Sequence, residues 1–219
     1  MKKIASNKKL IYIIASLLII VGIVMIIIKG FNYELKYDKN QNIEIYLNKE
    51  IDIKEIEEIA KSVFNEKKVL VEYVEVFKDT VNITANEITE QEKESLIQKV
   101  NEKYELEKEG SEVKIVTNQR ISLYDILKQY VFTLSLSSIV IVIYFVIRYR
   151  KIGILNVLVN SILTIILSQL VLFSIIAIVR FPIGKYLLTL ILTVFVMSII
   201  DLIIAFEKEN KNIKQEKKK

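Results

Sequence analysis

Four long apolar runs divide this chain of 219 residues. They cover residues 10–28, 130–147, 152–179 and 186–206. Each run reaches the ~18 to 20 residues that an α-helix needs to cross the core of a bilayer. The pattern therefore predicts four transmembrane helices. The first run is longer than the apolar core of an ordinary signal peptide and lacks a small-residue cleavage site after it, so we expect it to be an uncleaved anchor.

The segment between the first two apolar runs has the patterns of a small α/β domain. Alternating or β-branched strand patterns occupy residues 42–48, 68–77, 80–85 and 112–117. The second and third of these predict an antiparallel hairpin that turns at Lys78 and Asp79. The strands are interrupted by two stretches with apolar residues at helical spacing.

Both predicted helices of this domain begin with a capping pattern. Asp52 is followed three residues later by Glu55, and Thr89 is followed three residues later by Glu92, as in a capping box. The first helix should end near Asn65 and the second near residue 104. The resulting order is β-α-β-β-α-β, the split ferredoxin-like arrangement in which two helices cover one face of an antiparallel sheet.

Charge is distributed unevenly and predicts the orientation. Residues 30–129 carry 22 acidic and 15 basic side chains, whereas the rest of the chain carries 4 acidic and 16 basic ones. Nearly all of that basic excess lies in three clusters: Lys2, Lys3, Lys8 and Lys9; Arg148, Arg150 and Lys151; and Lys208, Lys211, Lys214, Lys217, Lys218 and Lys219. With four spans the three clusters fall on one side, which the positive-inside rule makes cytoplasmic.

These patterns predict an α+β membrane protein with four parts. Residues 1–29 form a cytoplasmic N-terminus and the first span, residues 30–129 an extracytoplasmic ferredoxin-like domain, residues 130–206 the other three spans, and residues 207–219 a cytoplasmic basic tail. Both termini should be cytoplasmic. The tail is explained by topology and by anionic lipid head groups, so we expect membrane lipids, and not nucleic acid, as its partner.

The composition argues against an enzyme. The chain contains no cysteine and no histidine, which excludes thiol chemistry, disulfides and histidine-based metal sites or bases. The sequence shows no nucleophile and base pair, no phosphate-binding loop and no metal-binding cluster. We therefore expect no catalytic residue, no cofactor and no bound metal. Any proton chemistry has to use carboxylates.

One carboxylate, Asp201, lies inside the last apolar run. Aspartate within a membrane helix is costly and usually faces a bundle interior, a water path or a partner. The third run carries polar residues at successive i+4 steps, and the fourth carries Thr189, Thr193 and Asp201 at multiples of four. We interpret Asp201 as a proton-path candidate, with supporting polar residues Asn160, Thr164, Ser168, Thr193 and Ser198. Facing polar stripes would give the carboxylate hydrogen-bond partners, although small polar residues also serve as ordinary helix-packing contacts.

The C-terminal segment carries an ordered series of motifs. Phe181, Pro182 and Ile183 lead through Leu187-Leu-Thr to Ser198-Ile-Ile-Asp201 and then to Phe206-Glu-Lys. This segment resembles the fourth helix of SecF, the protein-export membrane protein, in which Leu-Pro-Phe and Ser-x-Asn-Asp-Thr-x-x-x-Phe-Asp-Arg patterns follow in the same order. Tyr144-Phe-Val-Ile-Arg148-Tyr149 is similar to the end of that family's second helix, and residues 88–104 are similar to its periplasmic helix.

This resemblance, which runs from about residue 30 to residue 210, implies a function. It implies an accessory subunit of the Sec machinery in the bacterial cell membrane, beside a SecD-like subunit and the Sec channel, that uses proton flow to help move a translocating polypeptide outward. The aspartate of the proton path is by position Asp201. SecF has six spans and four are predicted here, so a partner would have to supply the remaining helices.

Two alternatives remain open from the sequence. FtsX-like and MacB-like permease subunits also combine an N-terminal span, an outer α/β domain and three further spans, and they work with a cytosolic ATPase. Such subunits need a coupling helix between the second and third spans, and residues 148–153 are too few for one. The other alternative is a non-catalytic membrane scaffold whose outer domain is a binding module.

Overall fold

The computed structural model describes residues 2–47, 52–65, 67–74, 77–104 and 115–216. Contacts divide the chain into two compact units. The helical unit contains Met1–Asn32 and Leu123–Lys219, and the α/β unit contains Tyr33–Ser122. In chain order the elements are α1 (Lys2–Lys29), β1 (Asn40–Tyr46), α2 (Ile53–Phe64), β2 (Val69–Val74), β3 (Phe77–Ala85), α3 (Glu90–Tyr104), β4 (Ile115–Asn118), α4 (Leu123–Arg148), α5 (Ile154–Val179) and α6 (Leu187–Glu216).

Three helices of the helical unit, α4, α5 and α6, are long and apolar enough to cross a membrane. Helix α1 is apolar over the shorter stretch Ile13–Lys29, so the first predicted span stays a prediction. Helix α4 begins before the predicted span at residue 130, and α6 continues past the predicted end at residue 206. Helices α4 and α6 therefore extend the second and fourth apolar runs into polar sequence, whereas α5 lies within the third run.

Helix α1 packs against α5 at a glycine. Gly22 is buried in this contact, and a Cβ atom placed on it would overlap Ser174. Ser174 is only 3% exposed and donates its hydroxyl hydrogen to the carbonyl of Leu170 at 2.7 Å. Small residues let two helix backbones approach closely. The absence of a side chain at Gly22 therefore permits the packing of α1 on α5.

The loop between α5 and α6 is fastened to the end of α1. Arg180 ends α5 in the left-handed conformation, with φ 59°. Its Nη1 donates to the carbonyl of Gly30 at 2.6 Å, while Asn32 Nδ2 donates to the carbonyl of Arg180 at 2.9 Å. The Ile183 N–H donates to the carbonyl of Asn32 at 2.7 Å. A cation at the carbonyl end of a helix is favourable, so Arg180 stabilises this junction by charge as well as by geometry.

Helices α4, α5 and α6 share an apolar core near their predicted cytoplasmic ends. Its buried members are Val142, Phe145, Tyr149, Val157, Ile165, Phe195, Leu202 and Phe206. The ring of Phe206 meets Phe145 edge-on at 5.8 Å and lies 5.3 Å from the ring of Tyr149. A short 3-10 turn, Arg150–Ile152, joins α4 to α5, and Gly153 follows it with φ 113°, a conformation that glycine adopts readily.

The α/β unit contains a four-stranded antiparallel sheet with the strand order β2-β3-β1-β4. In the central pair, Ile43 of β1 lies opposite Ile83 of β3. Helices α2 and α3 contribute to one core with the sheet, whose buried members include Ile43, Ile45, Leu47, Ile56, Ala60, Phe64, Val81, Ile83, Leu96 and Val100. Because side chains alternate along each strand, the other face of the sheet carries the polar residues.

Both predicted helix starts are confirmed, although the first is only half of a capping box. Asp52 Oδ1 accepts from the N–H of Lys54 at 2.9 Å. Glu55 does not reach back to Asp52 and instead accepts from the hydroxyl of Tyr104 at 3.0 Å. Burial and this carboxylate raise the pKa of Tyr104 to about 12.

The second capping box is complete. The N–H of Thr89 donates to Glu92 Oε2 at 2.8 Å, and the N–H of Glu92 donates to Thr89 Oγ1 at 3.3 Å. Lys67 Nζ also binds the Glu92 carboxylate, at 2.6 and 2.8 Å. Asn65 caps the end of α2 with φ 47°, where the sequence predicts the end of that helix.

The predicted hairpin turn at Lys78 and Asp79 is wrong, because both residues lie inside β3. The pairing of β2 with β3 continues to Val74 opposite Phe77, with a shift of register between Tyr73 and Val74. Polar residues alone do not define a turn, since alternate side chains at the end of a strand reach solvent. Parts of three predicted strands, residues 48, 75–76 and 112–114, lie outside the described residues, as do residues 217–219 of the predicted tail.

Candidate functional site

Asp201 lies on the exposed side of α6. The packed side of this helix carries the buried residues Leu187, Ile191, Phe195, Ser198, Leu202 and Phe206. Asp201 is next to exposed apolar positions such as Met197, which is 55% exposed, and Ile200, which is 44% exposed. The carboxylate is therefore not placed in the core that α6 forms with α4 and α5.

In the part of the chain that the structure describes, Asp201 has no hydrogen-bond or ion-pair partner. The nearest charged contact on its helix is at Glu207, ~9 Å further along the axis at the ~1.5 Å rise per residue of an α-helix. An ionised side chain within a membrane-spanning helix costs roughly 2.5 to 3.5 kcal/mol. The Asp201 side chain therefore requires either a polar partner outside the described residues or protonation of its carboxylate.

The predicted polar stripe of α5 forms its hydrogen bonds within α5. Asn160 is exposed, and its Nδ2 donates to Asn156, at 2.9 Å to the carbonyl and at 2.6 Å to Oδ1. Thr164 and Ser168 are half-buried, and Ser168 Oγ donates to the carbonyl of Thr164 at 2.6 Å. Bonds to the carbonyl one turn earlier are ordinary for serine and threonine in helices.

The polar residues of α6 behave in the same way. Thr193 is exposed, and its Oγ1 donates to the carbonyl of Thr189 at 2.8 Å. Ser198 is buried, and its Oγ donates to the carbonyl of Phe195 at 2.7 Å. In the described structure, neither Thr193 nor Ser198 therefore forms a hydrogen bond with Asp201.

The side chain of Gln169 forms a hydrogen bond between α5 and α6. Gln169 Nε2 donates to the carbonyl of Ile191 at 3.2 Å. Measured from this contact along the two antiparallel helices, Asn160 is ~14 Å away and Asp201 is ~15 Å away, in the same direction. The exposed amide and the exposed carboxylate therefore lie at one level of the helical unit.

A polar cluster at the end of α4 was missed by the sequence analysis as a site. Arg148 Nη2 lies 3.1 Å from Glu207 Oε1, and the hydroxyl of Tyr149 donates to the same oxygen at 3.1 Å. Arg148 Nη1 donates to the hydroxyl of Tyr144 at 3.1 Å. The cluster joins the end of α4 to α6. The sequence does contain a signal for this cluster. Arg148 follows the second apolar run and Glu207 follows the fourth, and both runs are predicted to end on the cytoplasmic side.

Tyr149 is the buried member of this cluster, at 1% exposure. Burial raises the pKa of Tyr149, and the bond to Glu207 raises it further, although the guanidinium of Arg148 acts in the opposite direction. The phenol therefore stays neutral and keeps its hydrogen for the Glu207 carboxylate. This arrangement fixes the position of α6 only two turns from Asp201.

No protein-family model matches this chain, and no curated protein matches it. Within the described ranges, no three acidic, histidine or cysteine side chains come together in a way that could hold a metal ion. The resemblance to SecF therefore rests on the sequence motifs quoted above.

Proposed function

We propose that this protein is a shortened, SecF-like accessory subunit of the bacterial protein-export machinery. In this proposal, Asp201 belongs to a proton path that a partner subunit completes. The observation that carries it is the exposed carboxylate of Asp201, which lies among apolar residues of α6 and has no partner in the described part of the chain. A carboxylate in that position is unfavourable in lipid and favourable against a second membrane protein.

The α/β unit supports the same proposal. Its element order and its strand order β2-β3-β1-β4 are those of a ferredoxin-like fold, to which we assign it. A ferredoxin-like domain between the first and second spans is what the resemblance to SecF implies. With four spans, as proposed here, this domain is extracytoplasmic and both termini are cytoplasmic.

Proton coupling would operate through the charge of Asp201. The ionised carboxylate favours contact with a cation or hydrogen-bond donor of the partner, whereas the protonated carboxyl tolerates an apolar surrounding. A proton gradient can then drive α6 to alternate between two packings against the partner. The partners are a SecD-like subunit and the Sec channel, and the substrate is the translocating polypeptide.

The permease alternative is less well supported. Between α4 and α5 the chain has room only for Tyr149, the 3-10 turn Arg150–Ile152 and Gly153. A subunit driven by a cytosolic ATPase needs a coupling helix there. Co-purification of the chain with a nucleotide-binding subunit would reverse this preference.

Replacement of Asp201 tests the proposed function. In a strain without a second copy, the D201N variant should slow the export of a secreted reporter several-fold, because the amide cannot ionise. The matched control is Glu209→Gln, which removes a carboxylate from the exposed polar end of the same helix and should leave export unchanged. Unchanged export in the D201N strain would contradict the proton role and favour the scaffold alternative.

A further inference from the structure

Strand β2 forms a free edge of the sheet in the α/β unit. In the strand order β2-β3-β1-β4, β2 pairs with β3 alone. Among the described residues, no group outside β3 hydrogen-bonds to the backbone of residues 69–72. A free edge is a template for pairing with another chain unless proline, a bulge or a charge blocks it. Residues 69–72 contain no proline, and the register shift of β2 lies beyond them, after Tyr73.

The outer row of β2 carries two opposite charges. Val69 and Val71 pack against the core of the α/β unit. Because side chains alternate along a strand, Leu70 and Glu72 lie on the opposite face, and Lys68, directly before β2, continues their row. Lys68 and Glu72 are exposed, and Leu70 is half-buried. The row therefore consists of a cation, an apolar residue and a carboxylate, two residues apart.

This row is complementary to a second copy of itself. A two-fold axis that pairs two β2 strands antiparallel at Leu70 places residues before Leu70 opposite residues after Leu70 of the second copy. Lys68 then lies opposite Glu72 of the second copy, and the same pair recurs on the other side of the axis. Leu70 faces Leu70, and Val69 faces Val71. Opposite charges directly across two strands stabilise their pairing.

The neighbouring registers lack this match. An axis at Glu72 brings two carboxylates together, which is destabilising. An axis at Val71 places Glu72 opposite Leu70, and an axis at Val69 places Lys68 opposite Leu70. The charges therefore select the register centred on Leu70. The edge strand on the other side of the sheet, β4, has only four residues, Ile115–Asn118, without a charge, so no charge selects a register there.

A contact within the chain leaves Glu72 available for this pairing. Lys36 Nζ lies 3.2 Å from Glu72 Oε2, and the two side chains are 61% and 46% exposed. An exposed ion pair of this kind contributes little to stability. A carboxylate accepts several hydrogen bonds, so Glu72 can bind Lys36 and Lys68 of the second copy together.

We propose that the α/β unit pairs with a second copy of this chain through β2, antiparallel and centred on Leu70. The two four-stranded sheets then form one continuous sheet. This interface goes beyond the proposed function, because it requires neither Asp201 nor a SecD-like subunit. Copies that are inserted in one orientation have their α/β units on the same side of the membrane, where the two edges can meet.

Cysteine cross-linking of the full chain in native membranes tests this directly. The chain has no cysteine, so Leu70→Cys introduces a single thiol. Two differently tagged copies are co-expressed and treated with a short bifunctional thiol reagent. Because Cβ atoms directly opposite in paired strands lie ~5 Å apart, L70C should give a dimer that carries both tags.

The matched control is Val116→Cys on β4, where the side chain is 51% exposed. In the proposed dimer the two β4 strands lie ~34 Å apart, at ~4.8 Å per strand, so V116C should give at least fivefold less product. Equal yields would contradict the proposal. A product of L70C that never carries both tags would show that another protein occupies this edge, and would overturn the proposal as well.

Charge reversal tests the register. K68E and E72K, each added to L70C, place like charges opposite each other on both sides of the axis and should lower the yield at least fivefold. The K68E/E72K double variant restores opposite charges and should recover the yield, which would exclude misfolding as the cause of the loss. Lys36→Gln should leave the yield unchanged. A yield that is the same in all these variants, or that the double variant does not recover, refutes the pairing.

Co-purification of the two tags gives a reading that does not depend on L70C. Without any cysteine, K68E should reduce co-purification and the double variant should restore it. If L70C itself does not fold, this result decides, and co-purification that ignores the charges counts against the proposal.

The two proposals fail separately. D201N in the L70C background should cross-link as L70C alone does. Absent cross-linking together with impaired export in D201N overturns the β2 pairing alone, whereas cross-linking together with unimpaired export in D201N overturns the proton role alone.

Discussion

Gly22 lies where α1 meets α5, and any side chain there overlaps Ser174. We expect Gly22→Val to force the two helices apart and to lower the free energy of unfolding by ~1 to 3 kcal/mol, the usual cost of overpacking. Thermal unfolding in detergent measures this. Val21→Leu is the matched control, because Val21 is 42% exposed on the same helix. Equal melting temperatures of G22V and V21L would contradict the close packing.

Glu92 makes the stability of the α3 start depend on pH. Burial raises the pKa of Glu92, but Lys67 and Thr89 outweigh burial and hold it below its ordinary value of 4.5. The native state therefore binds fewer protons than the unfolded state as the pH falls, and the stabilisation that is complete above 4.5 is lost as the pH falls through the lowered pKa.

Hydrogen exchange of the first turn of α3 should show this loss. Protection from exchange should decrease as the pH falls below 4.5. In the Glu92→Gln variant, this protection should be nearly independent of pH. Glu94→Gln, at an exposed position of the same helix, should keep the dependence. An E92Q variant that loses protection on acidification as steeply as the unaltered protein would count against the capping account.

At the scale of elements, Arg180 holds the α5–α6 loop to the end of α1. Arg180→Gln removes the charge from the carbonyl end of α1, so exchange of the Ile183 N–H, which bonds to Asn32, should accelerate roughly fivefold or more, as expected from ~1 kcal/mol. The control is Arg150→Gln in the 3-10 turn between α4 and α5. Unchanged exchange at Ile183 in R180Q would show that the backbone alone fixes the loop.

Local patterns predicted the α/β elements well because each has its own chemical signal. Asp52 and the Thr89–Glu92 pair cap the helices that they were expected to cap, and apolar residues at helical spacing form the α2 and α3 core. The predicted position of the hairpin turn was wrong because the same polar residues occur both in turns and in strands. Lys78 and Asp79 lie in β3, and the carbonyl of Asp79 accepts from the N–H of Leu47, just after β1, at 2.8 Å, so pairing beside β1 outweighs their turn preference.

The surroundings of Asp201 could not be predicted from the sequence. Because nearly all positions of a membrane helix are apolar, the sequence pattern does not show which side of the helix packs against the other helices. The stripe of Thr189, Thr193 and Asp201 suggested a facing polar partner within the chain, yet the structure places Thr193 and Asp201 on the exposed side. Helix packing decides that placement, through residues such as Phe195 and Leu202.

At the scale of the whole molecule, the exposed side of α6 should be an interface. A photo-crosslinking amino acid at Met197, one turn from Asp201, should capture a membrane protein in native membranes, whereas one at Ile139 of α4, with the similar exposure of 56%, should not. Asp201→Lys should reduce the yield at least fivefold by reversing the charge, and a compensating acidic substitution in the partner should restore it. Capture that does not change with the charge would contradict the assignment.

The most direct measurement of the central claim is export with and without a proton gradient. Translocation of a reporter into inverted membrane vesicles is followed with and without a protonophore, for the unaltered protein, D201N and E209Q. The account predicts that the gradient accelerates export for the unaltered protein and for E209Q, and that this acceleration is lost in D201N. An equal acceleration in D201N would contradict the claim that Asp201 couples protons to export.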